Sequence, residues 1–161
     1  MNEPRLRHSV RALIVDEVDR VLLCRIDAGG LVVWVTPGGG IEEGESHTVA
    51  LRRELQEEVG FSLHVDPHHV WHQVLVAPHH AAGFDGVIND FYFVRTTAFE
   101  PRGTLTEEQL AAENLTESRW WTLEQIATYA GDAVFGPRTL APMLSNLLQN
   151  DFPAEPLDIG I

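Results

Sequence analysis

The chain has 161 residues, 44% of them hydrophobic, and a formal net charge of −13 at pH 7. That length and composition predict one globular domain spanning residues 1–161, with a tail from about residue 151 that frays or lies over a neighbour. The charge excludes broad, non-specific nucleic-acid binding, which needs a basic face; it fits a cation-loaded site acting on a small anion, although only six of the 24 acids lie between residues 39 and 61, so plain solubility accounts for most of it.

The N-terminal stretch from Met1 to His8 leads into a short apolar run interrupted by Arg11 and Asp16. That is neither a secretory signal nor a membrane span. Val10 to Val15 and Val21 to Ile26 read as strands joined by the polar turn Asp16-Glu17-Val18-Asp19-Arg20, a predicted hairpin. The single cysteine, Cys24, excludes an internal disulfide, fits a reducing compartment and lies in an apolar run that predicts packing rather than reactivity. The expected location is the cytoplasm. Leu31 to Val35 is a third strand, ended by Pro37-Gly38-Gly39-Gly40. Ser46 is the expected N-cap of a helix running to about Val59, with Gly60 at its C-terminal end.

Further strands are predicted at Trp71 to Ala77 and Phe91 to Thr97, with a loop from Pro78 to Asn89 between them. Thr106 caps a short helix or turn, and Trp120-Trp121-Thr122 reads as a last short strand. Leu123 to Ala130 and Arg138 to Gln149 are predicted helices, and the prolines at 153 and 156 stop the second from continuing. No internal repeat or interdomain linker is visible. Strands mixed with a few helices predict an α/β (α+β) sandwich.

The helix after Ser46 carries Glu54, Glu57 and Glu58. Spacings of i+3 and i+4 place these carboxylates on one face, while Leu51, Leu55 and Val59 occupy the next. Like charges so spaced cost roughly 0.2–0.5 kcal/mol each, and acids in a last turn oppose the helix dipole. Two readings meet this cost: a solvated acidic face, or a hard divalent cation, Mg²⁺ or Mn²⁺, held by oxygen ligands.

Gly39, five residues, Glu45, seven residues, Arg53-Glu54-Leu55, one residue, Glu57-Glu58, one residue and Gly60-Phe61 match the Nudix box at every defined position. The preceding Trp34-Val35-Thr36-Pro37-Gly38 is similar to that family too. The resemblance covers Val10 to about Ala130. It implies a mixed sheet with helices on both faces, the box loop and helix closing one side. It also implies a hydrolase that cleaves a nucleoside diphosphate linked to another group, using Mg²⁺ or Mn²⁺. Glu54, Glu57, Glu58 and the Gly38 carbonyl inherit the role of metal ligands, Arg53 orients a ligand glutamate, and Glu45 ties the loop to the helix. Ala50 leaves space beside the carboxylates.

The catalytic base in such enzymes is a box glutamate or one from a later loop. Glu113 and Glu117 are the leading later candidates, Glu107 and Glu108 the weaker ones. Arg25 stands near where family members bind phosphate, and Trp34 is a candidate to stack a base; the alternatives are a solvent-facing strand end and core packing. Six of the eight histidines fall between His64 and His80. With His68 and His72 off any helix and no cysteine partner, they read as ordinary strand and loop histidines rather than a transition-metal site.

The expected substrate is a small nucleotide-type diphosphate, such as a nucleoside triphosphate or nucleotide sugar. Pro78, near where ADP-ribose-cleaving members carry a proline, raises the alternative of an ADP-ribose-type pyrophosphatase. Two rivals are an isopentenyl-diphosphate isomerase type, whose catalytic cysteine is not evident here, and a nucleotide-sensing module that does not cleave. All the box glutamates are present, which disfavours the sensor. Neither stable nucleic-acid binding nor membrane association is expected, and a homodimer is compatible with the resemblance.

Overall fold

A computed structural model describes residues 2–77 and 81–160. Its frame is one curled, mixed sheet in the order β8-β3-β2-β1-β6-β5-β9, with β4 and β7 pairing off that path onto β1 and β2. The strands are β1 (Leu6–Val15), β2 (Val21–Ala28), β3 (Leu31–Val35), β4 (Gly38–Gly40), β5 (His68–Val76), β6 (Gly86–Arg95), β7 (Leu115–Trp121), β8 (Val134–Gly136) and β9 (Leu157–Asp158). The helices are α1 (His47–Val59), α2 (Glu107–Ala112), α3 (Leu123–Ala127) and α4 (Leu140–Gln149).

Strand alternation splits the apolar residues between two cores. On one face, Val10, Ala12 and Ile14 of β1 meet Leu22 and Cys24 of β2 and the Leu51, Leu55 and Val59 stripe of α1. On the other, Leu13, Val15 and Leu23 pack with Trp71, Phe91, Trp121 and the Leu140 and Leu144 side of α4. The result is the predicted sandwich, with α1 covering one face and α4 the other.

β1 pairs with β2 only at Val15↔Val21, then runs parallel to β6 from Leu6↔Gly86 to Val15↔Arg95. In the opening between β1 and β2 the glycine segment is not a free loop. It forms β4, antiparallel to β1 through Arg11↔Gly38, Val10↔Gly39 and Ser9↔Gly40. Gly38 adopts φ +145, and a Cβ there would lie 2.0 Å from the Val10 carbonyl oxygen, so only glycine fits. The pairing brings the loop against α1.

Several boundaries differ from the sequence expectation. β6 begins at Gly86, so residues 86–89 belong to a strand and not to a loop. Its polar residues are satisfied across the ladder: Asn89 donates to Gln73 at 3.1 Å, and Asp90 is hydrogen-bonded by histidines. β7 extends back to Leu115 because the ladder with β2 continues through Arg25↔Glu117, with a register shift before Ile26↔Leu115. β8 escaped notice because three residues carry no periodicity, although Phe135 is buried in the core. The tail lies over a neighbour: β9 pairs in parallel with β5, and the His68 imidazole meets the Pro153 carbonyl at 2.9 Å. Pro78, His79 and His80 lie outside the described residues. Among the described residues, no helix is long and apolar enough to cross a membrane.

Candidate active site

Ser46, in extended conformation, accepts from the Val49 N–H and starts α1. Gly60, with φ 70, ends it by donating to the Leu55 carbonyl. Between the caps, the Leu51, Leu55 and Val59 stripe docks on the sheet and fixes the rotation of the helix. That rotation presents Glu54 and Glu58 to β4, with Glu57 beside them on Arg53. Glu54 and Glu58 are 7% and 8% exposed, which is unusual for carboxylates.

Arg53 organises this face. Its Nε and Nη2 donate to the two oxygens of Glu45 at 2.9 Å each, a bidentate pair. Nη2 also reaches the Gly40 carbonyl at 3.0 Å, while Nη1 donates to Glu54 at 2.9 Å and Glu57 at 3.4 Å. One side chain thus ties the loop, β4 and two of the three glutamates. Glu45 in turn accepts from the Glu42 N–H at 2.8 Å, closing the turn before the helix. Ala50, fully buried, sits in the α1 core as a small residue.

The loop approaches the carboxylates without a gap. A Cβ at Gly39 would lie 2.6 Å from the Glu54 carboxyl. The Gly38 N–H donates to Glu58 at 3.2 Å, while its carbonyl accepts from Arg11. A half-buried cation that the sequence reading passed over lies beside it. Arg11 donates from Nη1 to the carbonyls of Thr36 and Gly38, each at 3.2 Å. Burial lowers its pKa, and the charge of Glu58 works against that shift. The available signal was an arginine inside an otherwise apolar strand.

Burial pushes the Glu58 carboxyl up to about 8; Arg11 opposes the rise, while the charges of Glu54 and Glu113 add to it. Such a carboxyl is short of positive charge. The donors are all oxygen, two of the carboxylates are buried, and the backbone packs directly on one of them. This set fits a hard divalent cation with six or more oxygen ligands, and Glu54, Glu57, Glu58 and the Gly38 carbonyl are the groups that would hold it.

The other residues singled out from sequence fall into two groups. Glu113, the C-cap of α2, is exposed and acts electrostatically on Glu58. Glu107 and Glu108 occupy the exposed first turn of α2. Glu117 lies elsewhere: its register with Arg25 places it on the sheet face of Leu23 and Trp121, opposite α1. There Arg25, Trp34, Glu117, Arg119, Trp121 and Tyr129 line a cleft of about 400 Å³. The Arg119 guanidinium sits 3.7 Å from the centroid of the Trp121 ring and 5.2 Å from that of Trp34. Arg25 is held by Asp27 at 2.7 Å and Thr116 at 3.0 Å.

Fold and site together define a mixed-sheet α/β protein in which one loop and one helix gather oxygen donors for a cation. The family model of the NUDIX domain matches residues 5–142. The chain belongs to the Nudix hydrolase family, whose members generally use divalent metals. An RNA pyrophosphohydrolase of Teredinibacter turnerae is 50% identical over 54 residues, 34% of this chain and 31% of that relative, so the match spans less than a third of the relative's length. Two solved structures share the fold at low identity. The MutT protein from Methanosarcina mazei Go1 superposes with TM-score 0.70 at 20% identity, covering 93% of this chain and all of that one (100%). The NUDIX domain of Shewanella oneidensis NrtR, complexed with ADP ribose, gives 0.68 at 18%, covering 91% of this chain and 90% of that one.

Proposed function

We propose that this protein is a Mg²⁺- or Mn²⁺-dependent pyrophosphohydrolase. It cleaves the phosphoanhydride bond of a nucleoside diphosphate linked to another group and releases two phosphate-bearing fragments. The observation that carries the reading is the pair of buried carboxylates, Glu54 and Glu58, packed under one glycine loop, Glu54 against Gly39 and Glu58 on the Gly38 N–H. When bound, the cation neutralises phosphate oxygens and lowers the pKa of an attacking water.

The chain's own residues do the rest. Arg53 fixes Glu54 and Glu57 in orientation, as outer-shell partners of metal ligands do. Glu113 takes the proton from the water; its charge already acts on Glu58, whereas Glu117 faces away from α1. The cleft of Arg25, Trp34, Glu117 and Arg119 receives the nucleotide, with guanidinium groups for phosphate and indole faces for the base. A net charge of −13 favours a small substrate over a long nucleic acid. The single buried cysteine fits the cytoplasm.

The test is a screen of nucleoside triphosphates, nucleotide sugars, dinucleotides and ADP-ribose with Mn²⁺, following phosphate-bearing products. Glu57→Gln and Glu58→Gln are each expected to lower turnover on the order of 100-fold or more while the fold is kept. Metal-dependent hydrolysis that survives both changes would remove the proposed site.

A further inference from the structure

A second polar cluster lies on the α1 face of the sheet, away from the carboxylates. It draws on four elements: His8 of β1, His47 at the start of α1, His69 and His72 of β5, and Asp90 of β6. The parallel register sets Val10 beside Asp90 and Ala12 beside Tyr92, so His8, Asp90 and Tyr92 share one face. His69 and His72 are three apart, and an unbroken strand would send them to opposite faces. A bulge between His69 and Trp71 corrects this, pairing His69 with Tyr92 and His72 with Asp90.

Asp90 is only 2% exposed, and its ion-pair partners among the described residues are histidines. One oxygen, Oδ1, is hydrogen-bonded by His69 Nε2 at 2.8 Å and His72 Nδ1 at 2.6 Å. The other, Oδ2, meets His8 Nε2 at 2.5 Å. The His8 and His47 rings stand edge to face with centroids 4.7 Å apart. A ring nitrogen of His8, one of His47 and a carboxylate oxygen of Asp90 all lie within 4.8 Å of one another.

We propose that His8, His47 and Asp90 form a second metal site, for a divalent transition-metal ion of the Zn²⁺ class. Two imidazoles and one carboxylate with an open fourth position are a Zn²⁺ donor set, and imidazole selects such ions over Mg²⁺. The surrounding groups are those that orient metal ligands. His47 Nδ1 bonds the Tyr92 hydroxyl at 2.7 Å, leaving Nε2 for the ion. His69 and His72 hold Oδ1 of Asp90 and so turn Oδ2 toward His8. Burial and the nearby His8 also lower the His47 pKa, favouring the neutral imidazole that binds metal. Binding replaces the His8–Asp90 hydrogen bond and ties β1, β6 and the first turn of α1 together. His47 precedes Glu54 by seven residues, about 10 Å along a helix, so this site is separate from the one proposed for catalysis.

The test uses the full chain stripped by chelator and titrated with Zn²⁺, by calorimetry and by thermal unfolding. One equivalent is expected to bind and to raise Tm, and both effects should persist in Glu54→Gln/Glu57→Gln/Glu58→Gln, whatever the outcome for hydrolysis. Both should vanish in His8→Ala/His47→Ala. Zn²⁺ binding that the histidine exchanges leave untouched, or that disappears with the glutamate exchanges, overturns the proposal. Should the histidine variant fail to fold, imidazole NMR of the wild-type chain decides: Zn²⁺ must shift the His8 and His47 rings, and shifts confined to the other histidines overturn it.

Discussion

Three side chains show how far a residue's neighbours set its chemistry. The Glu45 carboxyl is held down to about 2 against an ordinary 4.5, first by the Arg53 hydrogen bonds and then by the Glu42 N–H. A depressed carboxylate contributes stability above its unfolded pKa and loses it as pH falls through its folded one. The stability difference between wild type and Glu45→Gln should therefore shrink as pH drops from about 4.5 toward 2. Denaturant midpoints measured across that range test this, and a difference flat with pH would count against the Arg53 clasp. Cys24 is the opposite case: burial first, then the Glu58 charge, pushes its thiol up to about 12. It should resist a thiol reagent in the folded chain at mildly alkaline pH and react once unfolded. Labelling of the native protein at the unfolded rate would show that the strand is open. Arg11 marks the limit of reading by residue, since its charge has meaning only beside Glu58 and the Gly38 carbonyl.

Among the elements, α1 was readable in full, from Ser46 to Gly60, because its caps, apolar stripe and carboxylates obey local geometry. Gly60 also has a role the sequence leaves unstated. A Cβ there would lie 2.0 Å from the Arg102 carbonyl oxygen, on top of its φ of +70. Gly60→Ala is expected to cost at least about 1–2 kcal/mol, measured by urea unfolding; an unchanged midpoint would mean that the 102–103 segment moves aside freely. The strands were less legible. Asn89 reads as a loop residue, and Asp90 falls outside any strand, until Gln73 and the histidines across the ladder are known. The bulge in β5 hides that His69 and His72 share a face, and His8 and His47, far away in the chain, complete that cluster.

Over the whole molecule, one sheet separates two cores with different duties. The α1 core holds the carboxylates, whereas the α4 core carries Trp71, Trp121, Leu140 and Leu144 and supports the cleft. Leu144→Ala, at a fully buried position, should cost about 2–5 kcal/mol without altering the divalent-metal uptake proposed at α1; calorimetry beside thermal unfolding checks both, and uptake lost in the variant alone would mean that the two faces are coupled. The sequence by itself determined the family, the oxygen-rich loop and helix, and the alternation that builds two faces, because each is written in spacings of a few residues. Only the tertiary structure decided that Glu117 faces away from the box helix, that Arg11 reaches the Gly38 carbonyl, and that His8, His47 and Asp90 meet. Those relations depend on strand register and on contacts between distant segments, and no local period encodes them.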